Sequence, residues 1–293
     1  MVIPCYNEEE VLGETSARLR EKYVQLTEKG LISRASRIVF VNDGSEDSTW
    51  DIITRLHSEE PGFFSGIDLA HNSGHQNAVL AGLMSVMDIC DAAITMDADL
   101  QDDVEAIDEM LERFYEGNQV VYNHADFRLM SKRVLKELSG FKEVNLFLRG
   151  MVPLIGFKSC SVYYERKERA AGESKYPLRK MISFAVNGIT SFSTKPLKFI
   201  TMLGFFMSVM SVFAFIWAFV AKFCGFAELG WSSLLCSIWL IGGLQLFCLG
   251  IIGEYIGKIY AEVKHRPRFI VADFLNDLGT EFINTPGEDE KRT

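Results

Sequence analysis

Two aspartates separated by a single residue follow a short apolar stretch of the sequence. The segment DADLQD occupies residues 97–102, directly after the stretch AAITM at residues 92–96. Mg²⁺ and Mn²⁺ prefer oxygen ligands and usually keep several waters and phosphate oxygens, so few protein ligands are enough to hold them. Asp97 and Asp99 are therefore candidates for holding a divalent cation that also binds a diphosphate and neutralises the charge on a departing nucleoside diphosphate. The alternative is an acidic turn that caps the next helix.

A second polar segment, VNDGSEDST at residues 41–49, follows another apolar stretch. Asp43 is expected at the end of a strand, where it could accept hydrogen bonds from a ribose or a base, and Gly44 allows the backbone to turn tightly. The alternative is a plain turn between a strand and a helix, with Asp47 or Ser48 as the N-cap. A capping role for Asp47 does not exclude a ligand role for Asp43.

Short apolar stretches alternate with helical patterns over the first 122 residues or so. The patterns predict strands at residues 2–4, 37–42, 66–70 and 92–96, and helices at residues 9–29, 48–57 and 74–87. Such alternation predicts a parallel sheet with right-handed crossovers, whose ligands lie beyond the carboxyl ends of the strands. Polar clusters fall at three of those ends, at residues 6–8, 43–45 and 97–99, so we expect one site there. Asn7 and Glu10 are spaced as a capping box for the first helix.

The later part of the chain is unusually apolar. Hydrophobic residues make up 48% of the 293 residues and the mean hydropathy is +0.10, which is too apolar for an ordinary soluble enzyme unless the excess is concentrated. Residues 199–221 and 229–253 contain no charge. A helix needs roughly 20 apolar residues to cross a bilayer. We therefore predict two transmembrane helices, at residues 198–222 and 229–255, that form a hairpin.

The charges beside these stretches predict an orientation. Lys195 and Lys198 precede the first stretch, while the connecting segment has only Lys222 against Glu228. The second stretch is followed by four basic residues, Lys258, Lys264, Arg266 and Arg268. The positive-inside rule then places the first domain and both termini in the cytoplasm. No cleavable signal peptide is visible in the sequence.

The remaining composition argues against several classes of protein. The six cysteines form no CxxC pair and no cluster with histidine, which argues against a disulfide framework and against a zinc site. The formal net charge of −9 argues against nucleic-acid binding.

Four segments together resemble the family 2 glycosyltransferases with a GT-A fold: PCYNEEE at residues 4–10, VNDGSEDST, HNSGHQNAVLAGL at residues 71–83, and DADLQD. Further segments are similar to the polyprenyl-phosphate branch of that family, which includes bactoprenol glucosyltransferases and dolichol-phosphate mannose synthases. They are DFRLMS at residues 126–131, RGMVPLIGF at 149–157, AGESKYPLRKM at 171–181 and GIIGEYIGKIY at 250–260.

The resemblance spans nearly the whole chain and implies an α/β architecture. Residues 1–180 would form a GT-A (Rossmann-like) domain with a mostly parallel sheet. A juxtamembrane amphipathic segment at residues 181–197 would lead into the two-helix transmembrane hairpin. Residues 256–293 would be a cytoplasmic C-terminal segment.

Carried over residue by residue, the resemblance implies four groups of site residues. The nucleotide sugar would be contacted by Pro4, Tyr6, Glu8 and Asp43. Mg²⁺ or Mn²⁺, with the diphosphate, would be organised by Asp97, Asp99 and Gln101. The transferred sugar and its phosphates would lie near Asp126 and Arg128, which with Asp99 are the candidate catalytic residues. The acceptor lipid phosphate would be bound by Arg166, Arg169, Ser174 and Lys175.

The last group has a physical rationale and an alternative. Clustered basic side chains beside a membrane can bind a lipid phosphate through charge-assisted hydrogen bonds. A generic basic patch attracted to anionic lipids would have the same composition. The chain also departs from the family: relatives carry an arginine-containing loop and a helix after the strand at residues 120–122, where this sequence has no room between Tyr122 and Asn123.

The expected reaction is inverting transfer of a hexose from a nucleotide sugar, UDP-glucose being favoured, to undecaprenyl or another polyprenyl phosphate. A phosphate monoester has a second pKa of about 6, so this nucleophile is largely ionised at neutral pH and needs no general base. Asp126 is thus a weaker candidate for a base than for positioning the sugar or for a further contact with the metal. The alternatives are another donor (N-acetylglucosamine, galactose or GDP-mannose) or a non-catalytic membrane scaffold. A homo-oligomer, a tetramer, rests on the resemblance alone.

Overall fold

The structure is a computed structural model. It describes residues 1–123, 126–143, 148–164, 195–223 and 231–277. The chain forms two compact units. In the described part of the chain, the first unit contains one sheet and six helices, and the second contains two long helices.

The sheet of the first unit has eight strands in the order β7-β5-β6-β4-β1-β2-β3-β8. The strands are β1 Val2–Cys5, β2 Ile38–Asn42, β3 Phe64–Leu69, β4 Ala92–Thr95, β5 Val120–Tyr122, β6 Arg128–Ser131, β7 Ser159–Ser161 and β8 Val271–Leu275. The central strands β4, β1, β2 and β3 are parallel, as are β5 and β7. β6 runs antiparallel to β4 and β5, and β8 runs antiparallel to β3. The predicted mostly parallel α/β sheet is confirmed.

Six helices connect these strands. They are α1 Leu12–Glu28, α2 Thr49–Glu59, α3 His75–Val86, α4 Ala106–Tyr115, α5 Lys132–Ser139 and α6 Leu148–Leu154. Every strand and helix predicted between residues 2 and 96 is present, with ends shifted by no more than three residues. The predicted capping box is wrong, because α1 begins only after Val11 and the Asn7 Oδ1 instead accepts a hydrogen bond from the Glu46 N–H at 2.9 Å.

Apolar residues pack on both faces of the central strands. Successive side chains of a strand point to opposite faces, so Ile3 and Phe40 join the hydrophobic cluster beneath α1 and α4. Val2 and Val41 join the cluster on the other face, against α3. Burial on both faces explains why these strands read as nearly continuous apolar runs in the sequence.

The contact between α3 and the sheet depends on Gly82. A Cβ atom at this position would overlap the Val2 Cγ1 and lie 2.7 Å from the Val41 Cγ2. In Gly82→Ala, we expect overpacking to lower the free energy of unfolding by about 1–3 kcal/mol. The higher helix propensity of alanine raises it by about 1 kcal/mol and so offsets part of this loss. Chemical denaturation checks this, and Gly13→Ala, at a position with open space around a Cβ in α1, is the control. Equal stability of the two variants would contradict the packing argument.

One strand of the sheet was not predicted from the sequence. β8 comes from the C-terminal segment and lies at the edge of the sheet beside β3, where the Ala70 N–H also donates to the Ile270 carbonyl oxygen at 2.9 Å. The first unit therefore includes residues that follow the two long helices of the second unit. A pattern search misses such a strand because residues 271–275 are short and only half buried.

The second unit contains α7 Lys195–Phe223 and α8 Trp231–Val263, which contact each other. The two helices include residues 198–222 and 231–255 of the two stretches that were predicted to span a membrane, and residues 229–230 lie outside the described residues. Among the residues that the structure describes, none of the helices combines the length and the apolarity needed to cross a membrane.

Candidate active site

Three polar segments converge at the carboxyl edge of the central strands. Residues 6–8 follow β1, residues 43–45 follow β2, and residues 97–99 follow β4. These strands are parallel neighbours, so their carboxyl ends meet at one edge. The structure therefore brings together most of the predicted donor residues, whereas Pro4 lies buried within β1 and not at the edge itself.

The Asp43 carboxylate accepts hydrogen bonds from the segment that leads into α3. Its Oδ1 accepts a hydrogen bond from the Ser73 N–H at 2.7 Å, and its Oδ2 accepts one from the Gly74 N–H at 3.0 Å. Burial raises the pKa of this carboxyl, and the two N–H bonds offset that only in part. Gly44 has φ +64° and lies against the backbone of Asn72, so a Cβ at this position would clash. The carboxylate thus shapes the edge at which it was predicted to bind a nucleoside.

The turns after β1 and β2 are tied to each other by hydrogen bonds. The Asn7 N–H donates to the Ser45 Oγ at 3.0 Å, and the Glu8 N–H donates to the Thr49 Oγ1 at 2.9 Å. The Asp47 Oδ1 accepts a hydrogen bond from the Thr49 N–H at 3.0 Å, while Ser48, the other residue expected as the N-cap, occupies the N-cap position of α2. These bonds hold the Tyr6–Glu8 turn at the edge of the sheet, where the Tyr6 ring is exposed.

The turn after β4 is held by its own side chains. Leu100 has φ +55°, an unfavourable left-handed conformation for leucine, and its side chain is buried in the core. The Asp99 Oδ1 accepts a hydrogen bond from the Gln101 N–H at 3.2 Å. Because the buried leucine anchors the turn, the carboxylates of Asp97 and Asp99, which precede it in the sequence, stay at the sheet edge.

The electrostatics of this turn favour a cation. Burial raises the pKa of Asp97, and the negative charges of Asp102, Asp126 and Asp99 raise it further, against a lowering by His75. No group of three or more His, Cys, Asp or Glu side chains in the described ranges is arranged to hold a metal ion alone. Two carboxylates nevertheless suit Mg²⁺ or Mn²⁺ when waters and phosphate oxygens complete the coordination. The donor set therefore fits a cation that is held jointly with a diphosphate.

His75 is a site residue that the sequence reasoning missed. It is the first residue of α3, and its Nε2 lies 3.5 Å from the Asp97 Oδ1 and 3.7 Å from the Asp126 Oδ2. Burial lowers the pKa of His75, but the hydrogen bond to Asp126 and the charges of Asp97 and Asp126 outweigh it and raise the pKa above its usual value. The sequence contained a signal for this residue, because His75 follows β3, the fourth strand whose carboxyl end lies at the same edge of the sheet.

The raised pKa of His75 predicts a pH-dependent contribution to stability. A group whose pKa rises on folding stabilises the protein fully below its unfolded pKa, about 6.5 for histidine, and this stabilisation is lost as the pH rises through the folded value. In metal-free buffer containing EDTA, we expect the melting temperature of the wild type to exceed that of His75→Gln at pH 5.5. At pH 9 the two melting temperatures should be equal. His71→Gln, at an exposed position, is the control. A difference in melting temperature that grows with pH would contradict this assignment.

Asp126 and Arg128 form an ion pair next to the Asp97 turn. The Arg128 Nη2 donates to the Asp126 Oδ1 at 3.0 Å, and the Arg128 side chain is almost fully buried. The Thr95 Oγ1 donates to the Asp126 carbonyl oxygen at 2.6 Å, which joins this segment to β4. Burial alone would raise the pKa of Asp126, but His75 and Arg128 reverse that and lower it. Asp126 is therefore ionised at neutral pH.

A second guanidinium, that of Arg149, approaches the same carboxylate oxygen of Asp126. Its Nη2 is 3.9 Å from the Asp126 Oδ1, and its side chain is 51% exposed. Arg128 and Arg149 both line a cavity of about 240 Å³, together with Tyr122, Asn123, Val152, Phe157 and Ser159. The segment that contains Arg149 was recognised in the sequence, but no role was assigned to this residue. The structure thus shows a cavity with two cationic side chains beside Asp126.

The strands that carry this cavity are closely connected. Tyr122 pairs with Arg128 in the β5–β6 ladder, and the Asn123 N–H donates to the Phe127 carbonyl oxygen at 3.1 Å. The connection is short, as expected from the departure from the family at this point. The predicted acceptor residues lie outside the described residues; they are Arg166, Arg169, Ser174 and Lys175.

Family models match the chain over both units. The model described as glycosyl transferase family 2 matches residues 1–165, and the GtrB C-terminal hairpin matches residues 195–259. The chain belongs to glycosyl transferase family 2. The resemblance seen in the sequence is confirmed, and the protein is a glycosyltransferase that carries a GtrB-type C-terminal hairpin.

Relatives of this family 2 glycosyltransferase match over almost their whole length. An uncharacterized glycosyltransferase of Bacillus subtilis strain 168, YkoT, is 48% identical over 94% of this chain and 92% of its own. A bactoprenol glucosyl transferase of Shigella phage SfV is 34% identical over 92% of this chain and 97% of its own. Among solved structures, the mannosyltransferase PcManGT of Pyrobaculum calidifontis in complex with GDP-Man and Mn²⁺ aligns over 90% of this chain and 85% of its own, with 12% identity and a TM-score of 0.43. That structural likeness is too low to support a conclusion.

Proposed function

We propose that this family 2 glycosyltransferase transfers a hexose, glucose from UDP-glucose being favoured, to undecaprenyl or another polyprenyl phosphate with inversion. The observation that carries the proposal is the position of the Asp97–Asp99 turn beside the Asp126–Arg128 ion pair and its cavity. One side of this arrangement suits a nucleoside diphosphate with its cation, and the other suits an anionic nucleophile. The bactoprenol glucosyl transferase of phage SfV supports the choice of donor and acceptor.

On the donor side, Asp97, Asp99 and Gln101 would hold Mg²⁺ or Mn²⁺ with the diphosphate. The cation supplies charge neutralisation on the departing nucleoside diphosphate. The turn after β1, with Tyr6 and Glu8, and the Asp43 carboxylate would contact the nucleoside. In this arrangement the protein supplies a preorganised edge that fixes the sugar relative to the incoming phosphate.

On the acceptor side, the nucleophile is a phosphate oxygen that is already ionised at neutral pH. Cationic side chains that fix it are then more useful than a general base, and Arg128 and Arg149 face one cavity. Asp126 is held ionised by His75 and Arg128, so its proposed role is to position the sugar and the two guanidinium groups. The family's basic segment, with Arg166 to Lys175, would complete the phosphate site.

The proposed acceptor requires a membrane. Residues 199–221 and 229–253 carry no charge, and the match to the GtrB C-terminal hairpin covers this part of the chain. We therefore place the hairpin in the membrane, with the first unit and both termini on the cytoplasmic side, as the flanking basic residues indicate. A homo-oligomer is part of the proposal through family resemblance only.

The test is product formation by the full chain in detergent with Mn²⁺ and undecaprenyl phosphate. A panel of UDP-glucose, UDP-galactose, UDP-N-acetylglucosamine and GDP-mannose is offered one at a time. We expect a lipid-extractable labelled product with UDP-glucose and a lower rate with the others. A faster rate with another donor would correct the sugar, whereas no lipid-linked product from any donor would overturn the proposed reaction.

A further inference from the structure

Tyr164 contacts both halves of the site described above. Its hydroxyl donates a hydrogen bond to the Asp102 Oδ1 at 2.6 Å. Its ring packs edge-on against Phe127, with the ring centroids 5.8 Å apart and the planes at 72°. The two partners belong to segments that are far from Tyr164 in the sequence, so this contact is formed only by the fold.

The first partner belongs to the proposed metal turn. Asp102 is the last residue of DADLQD, three positions after Asp99, and it is only 2% exposed. A buried carboxylate needs hydrogen-bond donors, and a bond from a hydroxyl to an ionised oxygen is among the stronger ones. The Tyr164 hydroxyl therefore restrains the end of the turn that carries Asp97 and Asp99.

The second partner lies between the two charged residues of the acceptor side. Phe127 is fully buried, with Asp126 before it and Arg128 after it. An aromatic ring packed on Phe127 limits how far this segment can shift, because close-packed interiors transmit small displacements. One side chain thus touches the turn proposed to hold the cation and the segment that carries the ion pair.

Tyr164 comes shortly before the proposed acceptor residues in the sequence. Arg166, the first residue of the proposed acceptor set, comes two positions later. Tyr164 is thus close in sequence to the segment proposed to bind the lipid phosphate.

We propose that Tyr164 is a positioning residue that couples the diphosphate side of the site to the acceptor side. The proposal rests on the proposed function. In this proposal, the hydrogen bond from the Tyr164 hydroxyl fixes the position of the turn that would hold the cation. The Tyr164 ring fixes the position of the Asp126–Arg128 segment relative to that turn. A small displacement of either segment would change the distance between the reacting phosphate and the sugar, to which rates are very sensitive.

The test compares Tyr164→Phe with Tyr163→Phe, a matched change at the neighbouring residue, whose side chain is 72% exposed. We expect Tyr164→Phe to lower kcat by about tenfold and to raise the Mn²⁺ concentration for half-maximal activity several-fold. Tyr163→Phe should leave both values within about twofold of the wild type, in line with a surface substitution. Adding Asp102→Asn to Tyr164→Phe should cost less than the sum of the single changes, because the two residues share one bond.

Two outcomes separate the possible failures. If Tyr164→Phe only lowers the melting temperature and leaves kcat and the Mn²⁺ dependence at control values, the residue is merely structural and the inference is overturned. If the wild type forms no lipid-linked sugar, the proposed function has failed, and calorimetric titration with UDP and Mn²⁺ still decides the inference. A several-fold weaker Kd in Tyr164→Phe alone then supports the coupling to the metal turn, and an unchanged Kd overturns it.

Discussion

Asp99→Asn is expected to abolish sugar transfer while leaving the fold intact. Asparagine keeps the Oδ1 that accepts the Gln101 N–H, so the turn after β4 can retain its shape. The change removes one of the two charges proposed to hold the cation, and with it the neutralisation of the departing diphosphate. Loss of several kcal/mol of such stabilisation corresponds to a fall in rate of about a thousandfold or more.

The measurement is the rate of formation of lipid-linked sugar at saturating donor, acceptor and Mn²⁺. Asp51→Asn is the matched control, because it makes the same chemical change at an exposed position in the first turn of α2. The melting temperature of each variant in metal-free buffer separates lost chemistry from lost folding. Turnover by Asp99→Asn at more than a few per cent of the control rate would contradict its assignment as a metal ligand.

Arg149→Gln is expected to weaken acceptor binding selectively. Arg149 is half exposed and faces the cavity that it shares with Arg128, so its removal leaves the buried ion pair in place. Loss of one hydrogen bond between a guanidinium and a phosphate costs about 1.5–3 kcal/mol, which is roughly 10- to 100-fold in kcat/KM for the lipid. The KM for the nucleotide sugar should change much less.

Two further variants sharpen this prediction. Arg149→Lys keeps the charge but not the planar fork of donors, so we expect a partial recovery of the acceptor KM. Arg113→Gln is the control, since this arginine lies on α4 with a comparable exposure of 46% and is paired with two glutamates. An acceptor KM that stays at the control value in Arg149→Gln would remove Arg149 from the phosphate site and leave the acceptor to the basic segment at residues 166–175.

The central strands show how local patterns reveal much of this fold. Apolar runs such as residues 38–42 are bounded by polar turns, and a run of this kind is typical of a strand that is buried on both faces of a parallel sheet. The resemblance of DADLQD and its companion segments identified the family, because several weak motifs in the right order are specific together. The helix starts were less predictable, since Asn7 was expected to cap α1 and instead bonds to the turn after β2.

The residues that the sequence reasoning missed share one property: their partners are distant in the sequence. His75 reaches Asp97 and Asp126, Arg149 approaches Asp126, and Tyr164 bonds to Asp102. Nothing in the local pattern of α6 marks Arg149 as different from an ordinary surface residue, and His75 is marked only by its position after the end of β3. β8 was missed for a similar reason, because its pairing with β3 joins residues about two hundred positions apart.

The sequence by itself determined the family, the strand–helix order of the first unit and the turn on which the cation would be held. Those features follow from side-chain periodicity and from short motifs, which are local. Only the tertiary structure decided that Asp97 and Asp126 both lie near the His75 Nε2, and that Arg128 and Arg149 share a cavity. The physical reason is that the directions of these side chains are set by sheet order and by packing across the sheet, which depend on the whole unit at once.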